Sequence, residues 1–315
     1  MFPIIEGLKG AHAGRPGRDR TEIDAETTLV GLIGDSVRTS LSPRMHNAAF
    51  TAAGLNWRYV AFPVTRARLG EALHGLVALG AAGANVTVPH KEAALAYLDE
   101  TSEEARAIGA VNTVRVEGER LTGYNTDGGG LLDALRLDAG IRVEGARAVM
   151  IGAGGASRAA AFALAGAGAD SVVIANRNWD RAAALAADVR RAFPRRSVDA
   201  VPLDGGALGR WLRDATLLVQ ATTVGSGAER AQTPVASDAL HRGLFVMDMV
   251  YEPRETVLLR EARACGCQTV EGRSMLVYQG ARAFELWTGR PAPTDVMRRA
   301  VGLPGDTPAA RVGGR

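Results

Sequence analysis

Three short segments are richer in Asn, Thr and Asp than anything around them: Asn85-Val86-Thr87-Val88-Pro89-His90-Lys91, Gly109-Ala110-Val111-Asn112-Thr113-Val114 and Gly123-Tyr124-Asn125-Thr126-Asp127-Gly128. Asn85, Asn112 and Asn125 are three of only seven asparagines in the chain. Side chains of these types orient a polar ligand through hydrogen bonds, and a lysine or aspartate among them can pass a proton. Of the 37 basic residues only Lys9 and Lys91 are lysine, the rest being arginine. Arginine does not release its proton and carries a larger, flat fork. Lysine persisting at position 91 therefore points to work that only an ammonium can do. The plainer readings are an exposed helix-start lysine for Lys91 and a helix N-cap for Asp127. Ser40-Leu41-Ser42-Pro43 sets two hydroxyls before a proline suited to the first position of a helix; Ser42 alone also reads as an N-cap.

A second constellation is Val149-Met150-Ile151-Gly152-Ala153-Gly154-Gly155-Ala156-Ser157, an apolar strand running into glycines and then a helix. Glycines permit a tight turn and close approach of backbone to a pyrophosphate, and the helix start supplies N–H donors and a positive dipole end. Ser157 takes the place of the third glycine, so the fit to G-x-G-x-x-G is imperfect. The surrounding order of strand, loop, helix and second strand carries the assignment to a dinucleotide. That second strand ends at Ala175-Asn176-Arg177-Asn178, with no acid before Asp180 to bind a ribose 2′-hydroxyl. Arg177 and, one helical turn on, Arg181 suit a 2′-phosphate, and Asn176 can hydrogen-bond it. The expected cofactor is NADP rather than NAD; the plainer reading is a solvated arginine surface.

The elements that must position these groups follow from periodicity. Short β-branched runs alternate with alanine-rich helical patterns, the signature of parallel α/β architecture. Strands are expected over 28–33, 57–64, 84–88 and 111–116, with helices over 43–53, 67–79 and 91–98. Alternation along 85–88 puts Asn85 and Thr87 on one strand face, at the carboxyl end where open α/β sheets bind ligands. A second series has strands over 146–151, 171–175, 197–202, 216–220 and 244–249, with helices over 157–167 and 179–192, a Rossmann-like count. After a strand over 268–270, the amphipathic helix 275–287 is expected to return to the first unit, with Phe284 and Trp287 in its core.

Composition excludes several classes. A chain of 315 residues makes one large domain or two ordinary ones, and 47% hydrophobic with 23% charged residues is globular. Thirty-seven basic against 34 acidic residues is too even a balance for a nucleic-acid surface. Cys265 and Cys267 are too close for a useful loop-closing disulfide and lack partners for zinc, so they read as reduced thiols. His46 and His90 have no partner at metal-ligand spacing, and no metal is expected. No run reaches the roughly 18 apolar residues of a membrane span, and the first ten residues lack the basic-then-apolar order of a signal peptide. The expectation is a soluble cytoplasmic protein, monomer or homodimer, with a small-molecule substrate and neither nucleic-acid nor membrane partners.

Taken in order, S-L-S-P-x-x-H-N within 34–50, N-V-T-V-P-x-K, G-A-V-N-T-V, N-T-D-G, G-A-G-G-A-S-R-A, A-N-R, A-T-T-x-G, D-M-V-Y-x-P and M-L-x-x-Q-x-x-x-x-F-x-x-W-T-G resemble the shikimate dehydrogenase family over about residues 28 to 302. The resemblance implies NADP-linked reduction of the 3-keto group of 3-dehydroshikimate to shikimate, on the route to aromatic amino acids. It implies substrate contacts from Ser40, Ser42, Asn85, Thr87, Asn112, Asp127, Tyr251 and Gln279, with Lys91 and Asp127 as the catalytic pair. Gly152, Ala153, Gly154, Gly155 and Ala156 would hold the pyrophosphate, Asn176, Arg177 and Arg181 the adenosine phosphate, and Thr222, Met249 and Gly272 would flank the nicotinamide. The implied fold is an N-terminal α/β substrate domain over 28–126, completed by C-terminal helices over 275–302, plus a Rossmann-like doubly wound NADP-binding domain over 127–274. Flexible ends are expected over 1–27 and 303–315. The chain departs from the family at Thr39, where a histidine is common, at His90 for an aromatic, at Gln220 for an asparagine and at Ser226 for a methionine. Other activities open to the same scaffold are quinate/shikimate or aminoshikimate dehydrogenase and a non-catalytic metabolite sensor.

Overall fold

The computed structural model describes residues 22–305. Two six-stranded sheets organise them. The first comprises β1 (Thr28–Gly34), β2 (Trp57–Pro63), β3 (Gly83–Val86), β4 (Glu100–Thr101), β5 (Thr113–Glu117) and β6 (Arg120–Tyr124), in the order β2-β1-β3-β5-β6-β4. β1 runs parallel to β2 and β3, whereas β5 is antiparallel to both β3 and β6. The hairpin joining β5 to β6 turns at Gly118, whose φ of +61° suits glycine at the first position of a two-residue turn.

The second sheet comprises β7 (Arg147–Ile151), β8 (Ser171–Asn176), β9 (Ser197–Pro202), β10 (Leu217–Gln220), β11 (Phe245–Asp248) and β12 (Gln268–Val270). Its order, β12-β11-β10-β7-β8-β9, is parallel throughout. Counted within the sheet this is the doubly wound order of two mononucleotide-binding halves, with a crevice where the order reverses between β7 and β10. The strands read as near-continuous apolar runs because helices cover both faces; Ala148, Val149, Met150 and Ile151 of β7 are all buried.

The helix Gly272–Thr288 joins the two units. Met275 and Tyr278 near its start pack in the core of the second sheet, while Phe284 and Trp287 pack with Met45, Phe50 and Tyr59 in the first. Phe284 lies 5.4 Å from Phe50 between ring centroids, and Trp287 Nε1 donates to the Val114 carbonyl at 2.9 Å. Burial of each such aromatic stabilises by roughly 1.5–3 kcal/mol, which fixes this helix as the spine between the units. The helix Asp127–Asp133 crosses it with almost no separation, since a Cβ on Gly130 would lie 2.6 Å from the Gln279 nitrogen.

Several local expectations change. The strand expected over 84–88 ends at Val86, before a cis Val88-Pro89 bond. The helix expected over 91–98 is only a 3-10 turn, Ala93–Tyr97. The helix Ser42–Ala52 begins at Ser42 itself, with Leu41 as N-cap and no side-chain cap bond; Ser40 Oγ accepts from Ser42 N at 3.2 Å. Thr126, not Asp127, is the N-cap of Asp127–Asp133. Of the expected flexible ends, 1–21 and 306–315 lie outside the described residues. The adjoining residues are anchored: Asn56 Nδ2 donates to Asp24 Oδ1 at 2.8 Å, and Leu303 is buried in the first core. Elements missed in the sequence include β4, β6 and the helix Gly205–Arg213.

Candidate active site

Lys91 and Asp127, 36 residues apart, meet where the two units face each other. Lys91 Nζ donates to Asp127 Oδ2, and only 11% and 5% of the two side chains are exposed. The Lys91 loop is pinned from both sides. His90, fully buried, places Nε2 2.6 Å from the Val64 carbonyl, and Val111 N donates to the Lys91 carbonyl at 2.8 Å. His90 thus fills a family aromatic position with a polar anchor.

Asp127 is held as firmly. Its Oδ1 accepts from Asn112 Nδ2 at 2.9 Å and its N–H donates to Asn125 Oδ1 at 3.0 Å. Asn125 Nδ2 in turn donates to the Ala110 carbonyl at 2.9 Å. Asn112 is 2% exposed and spends its amide on protein: Nδ2 donates to Thr126 Oγ1 and reaches Gln279 Oε1 at 3.3 Å, while Oδ1 accepts from Thr126 N and Thr113 Oγ1. Satisfied buried networks of this kind rigidify a site. The geometry gives Asn112 the work of aiming Asp127 and Gln279.

Ser40, Ser42, Asn85 and Tyr251 converge nearby. Burial raises the Tyr251 phenol above its ordinary pKa of 10.0, with a hydrogen bond to Ser40 opposing the shift. Tyr59, which sequence reasoning missed, donates to Asn85 Oδ1 at 2.7 Å and also meets Ser42. Its buried place in β2 reads as core, so no pattern distinguishes it. The Thr87 hydroxyl makes no hydrogen bond among the described residues; Gly34 leaves it room, because a Cβ there would lie 2.4 Å from Thr87 Cγ2.

On the facing unit, the turn Gly152–Ala156 leads from β7 into the helix Gly155–Gly166, which opens without a side-chain cap and leaves its first N–H groups for a ligand. Ser157, the imperfect position, donates to the Ala221 carbonyl at 3.3 Å and fills the space beside Gly152, whose φ is +116°. Gly155 abuts the Lys91 side chain: a Cβ there would lie 2.7 Å from Lys91 Cβ. At the end of β8, Arg177 is exposed and makes no ion pair among the described residues. Asn176 Nδ2 donates to the Asn178 carbonyl at 2.8 Å, and Asn178 caps the helix Trp179–Ala192. Arg181 pairs at 2.7 Å with Glu92, the neighbour of Lys91. An uncapped helix start behind a glycine turn, with an unpaired guanidinium at the second strand end, fits the pyrophosphate and 2′-phosphate of NADP.

The third part of the crevice is built by Gln220 and Asp248. Gln220, fully buried in the family's asparagine position, donates to the Val224 carbonyl at 2.9 Å and accepts from Thr222 N and Oγ1, each at 2.9 Å. The turn bearing Thr222 is therefore kept despite the substitution. Asp248, also buried and also missed, accepts from Val250 N at 3.0 Å and Thr256 Oγ1 at 2.6 Å, shaping the segment that carries Met249 and Tyr251. Burial raises its carboxyl from 3.8 to about 6, against the pull of those two hydrogen bonds. Gly272 lets the long helix start beneath that segment, since a Cβ would lie 2.4 Å from the Val250 carbonyl. Among the described residues no three His, Cys, Asp or Glu side chains gather as a metal site would, and no helix is long and apolar enough to cross a membrane.

The family model for the shikimate dehydrogenase substrate binding domain matches residues 32–114, that for shikimate / quinate 5-dehydrogenase 136–226, and that for the shikimate 5′-dehydrogenase C-terminal domain 272–301. A Methanopyrus kandleri protein named shikimate dehydrogenase (NADP(+)) is 51% identical over 280 residues, covering 89% of this chain and 96% of that protein. This chain belongs to the shikimate dehydrogenase family. A shikimate dehydrogenase crystallised with NADP+ superposes with a TM-score of 0.83 at 40% identity, over 90% of this chain and 98% of that one. The Thermus thermophilus shikimate 5-dehydrogenase, crystallised with NADP(H) and shikimate, is likewise 40% identical, with a TM-score of 0.78 over 87% of this chain and 98% of its own.

Proposed function

We propose that this protein is an NADP-dependent shikimate dehydrogenase that interconverts 3-dehydroshikimate and shikimate, a step on the route to chorismate and the aromatic amino acids. The observation that carries this reading is the buried Lys91–Asp127 pair lying against Gly155 of the nucleotide turn. A proton donor and a dinucleotide cradle in contact are what ketone reduction by hydride requires.

NADPH, when bound, supplies the hydride. Lys91 Nζ stands where negative charge grows on the ketone oxygen and gives that oxygen a proton; in the reverse direction it takes the proton back. Asp127, with both oxygens already aimed by Lys91 and Asn112, uses its remaining lone pairs to hold a substrate hydroxyl. Ser40, Ser42, Asn85, Thr87, Tyr251 and Gln279 orient the ring by its carboxylate and hydroxyls. Arg177 receives the 2′-phosphate, and Arg181 joins it by exchanging Glu92 for phosphate. Residues 28–126 with 275–302 act as the substrate domain and 127–274 as the cofactor domain.

The test is the initial rate of reduced-cofactor formation with shikimate, run with NADP and NAD and repeated with quinate. Turnover of shikimate with NADP well above every other pair is the expected result. Preference for quinate or NAD moves the protein to the broader dehydrogenase activity, and no turnover with any pair refutes the enzymatic reading.

A further inference from the structure

Tyr59 lies in the middle of β2, is 2% exposed, and is separated in sequence from every residue of the site. Its ring is clamped: the His46 imidazole stacks on it with centroids 4.5 Å apart and planes 9° apart, and Trp287 tilts against it at 6.1 Å. Burial lowers His46 to about 3, so the stacked ring stays neutral at working pH. Burial raises the Tyr59 hydroxyl well above 10.0, so it remains a protonated donor. That donor is aimed at Asn85 Oδ1, 2.7 Å away.

The consequence falls on Asn85. Its Nδ2 donates to the Asn112 carbonyl at 3.1 Å and to Thr113 Oγ1 at 3.0 Å, which spends both amide hydrogens. A flipped amide would face its oxygen to the Asn112 carbonyl, acceptor against acceptor, and would oblige the Tyr59 hydroxyl to accept instead of donate. Only one orientation is satisfied, and in it Asn85 has a single capacity left: one lone pair on Oδ1.

We propose that Tyr59 is a specificity-determining positioning residue whose hydroxyl locks Asn85 as a pure hydrogen-bond acceptor, so that this subsite takes a substrate hydroxyl and rejects a carbonyl, ether or missing hydroxyl at that ring position. The inference rests on the proposed shikimate reading and adds to it the polarity of one subsite. The Ser42 hydroxyl also meets Tyr59; donating to the phenol oxygen, it leaves the Tyr59 proton for Asn85 Oδ1. Asn85 is the acceptor that the Tyr59 hydroxyl finds.

The experiment is Tyr59→Phe, which keeps the stacked ring and removes only the donor. Steady-state constants are measured with shikimate, 4-deoxyshikimate and 5-deoxyshikimate, and melting temperature is recorded alongside. In the parent enzyme one deoxy analogue loses about tenfold or more in kcat/KM, because a buried acceptor is left unpaired. In Tyr59→Phe the amide is free to turn, so KM for shikimate rises about 5- to 10-fold, KM for NADP is unmoved, and discrimination against that same analogue falls to within about threefold. A merely structural tyrosine would shift all three substrates equally; equal shifts, or no shift with a folded variant, overturn the proposal. Failure of the parent enzyme to turn over shikimate at all would instead overturn the functional reading on which it rests.

Discussion

Substituting Gly155→Ala tests whether the glycine turn and Lys91, the proposed proton donor, are one constellation. Gly155 has ordinary helical backbone and begins the helix Gly155–Gly166, so alanine is locally acceptable and, as a better helix former, adds about 0.5–1 kcal/mol to stability. The new methyl, however, would lie 2.7 Å from Lys91 Cβ, with Lys91 Cδ at 3.2 Å and Cγ at 3.4 Å. Reaching ordinary contact at 3.4–4 Å means parting the turn and Lys91 by about 0.7–1.3 Å. A misplacement on the order of 1 Å costs about 10²-fold in rate, equivalent to about 2.7 kcal/mol of barrier. The expected phenotype is therefore a variant that still folds and melts modestly lower, overpacking of about 1–3 kcal/mol outweighing the helical gain, and that loses about 10²-fold in kcat/KM for shikimate. Initial rates of NADPH formation, paired with thermal melts, separate the two effects. Parent-like kcat/KM in a well-folded Gly155→Ala would refute the claim that closure against Lys91 positions the proton donor.

Other consequences can be checked in the same assays. Lys91→Arg keeps the charge beside Asp127 but removes the transferable proton, and should lower kcat on the order of 10²-fold or more with KM changed less; near-normal turnover would show that charge alone suffices. Arg177→Gln removes a guanidinium at the end of β8 that makes no ion pair among the described residues, and KM for NADP should rise while KM for NAD hardly moves; an equal rise for both would place the 2′-phosphate elsewhere. The raised carboxyl of Asp248 gives a signed pH dependence: the folded state binds its proton more tightly than the unfolded chain, so this contribution is complete below pH 3.8 and lost as pH rises through about 6. Across that window it is worth about 3 kcal/mol at about 1.4 kcal/mol per pH step. Asp248→Asn removes it, so the melting temperature of the variant relative to the parent should climb between pH 4.5 and 7.5; a flat difference would mean the carboxyl titrates normally.

Much of the site was legible because chemistry restricts residue type. Lys91 stood out as one of two lysines among 37 basic residues, and the glycine turn announced itself between a strand and a helix. The place of Tyr59 and the work done by Gln220 and Asp248 were illegible for a related reason: a tyrosine in a strand, or a polar residue at a strand end, is equally at home in a core or a loop. Asn112 is expected among the substrate contacts, but which way its amide faces depends on the adjacent Thr113 and on Thr126 and Gln279, brought in from other segments. The helix expected over 91–98 shortens to a 3-10 turn because the chain at His90, held by its ring on the Val64 carbonyl, takes precedence over local propensity.

The sequence by itself determined that this is an α/β protein with a glycine turn between a strand and a helix, one of only two lysines at position 91 and a second cluster of amides and hydroxyls. Those are properties of residue type and short-range period, which a chain carries before it folds. Only the tertiary structure decided that Lys91 faces Asp127, that Gly155 leaves room for that lysine, that Arg181 rests on Glu92 and that a core tyrosine polarises Asn85. Each of those contacts joins residues 26 to 89 positions apart in the chain. They form only when the helix Gly272–Thr288 buries its two ends in two separate cores and brings the sheets together.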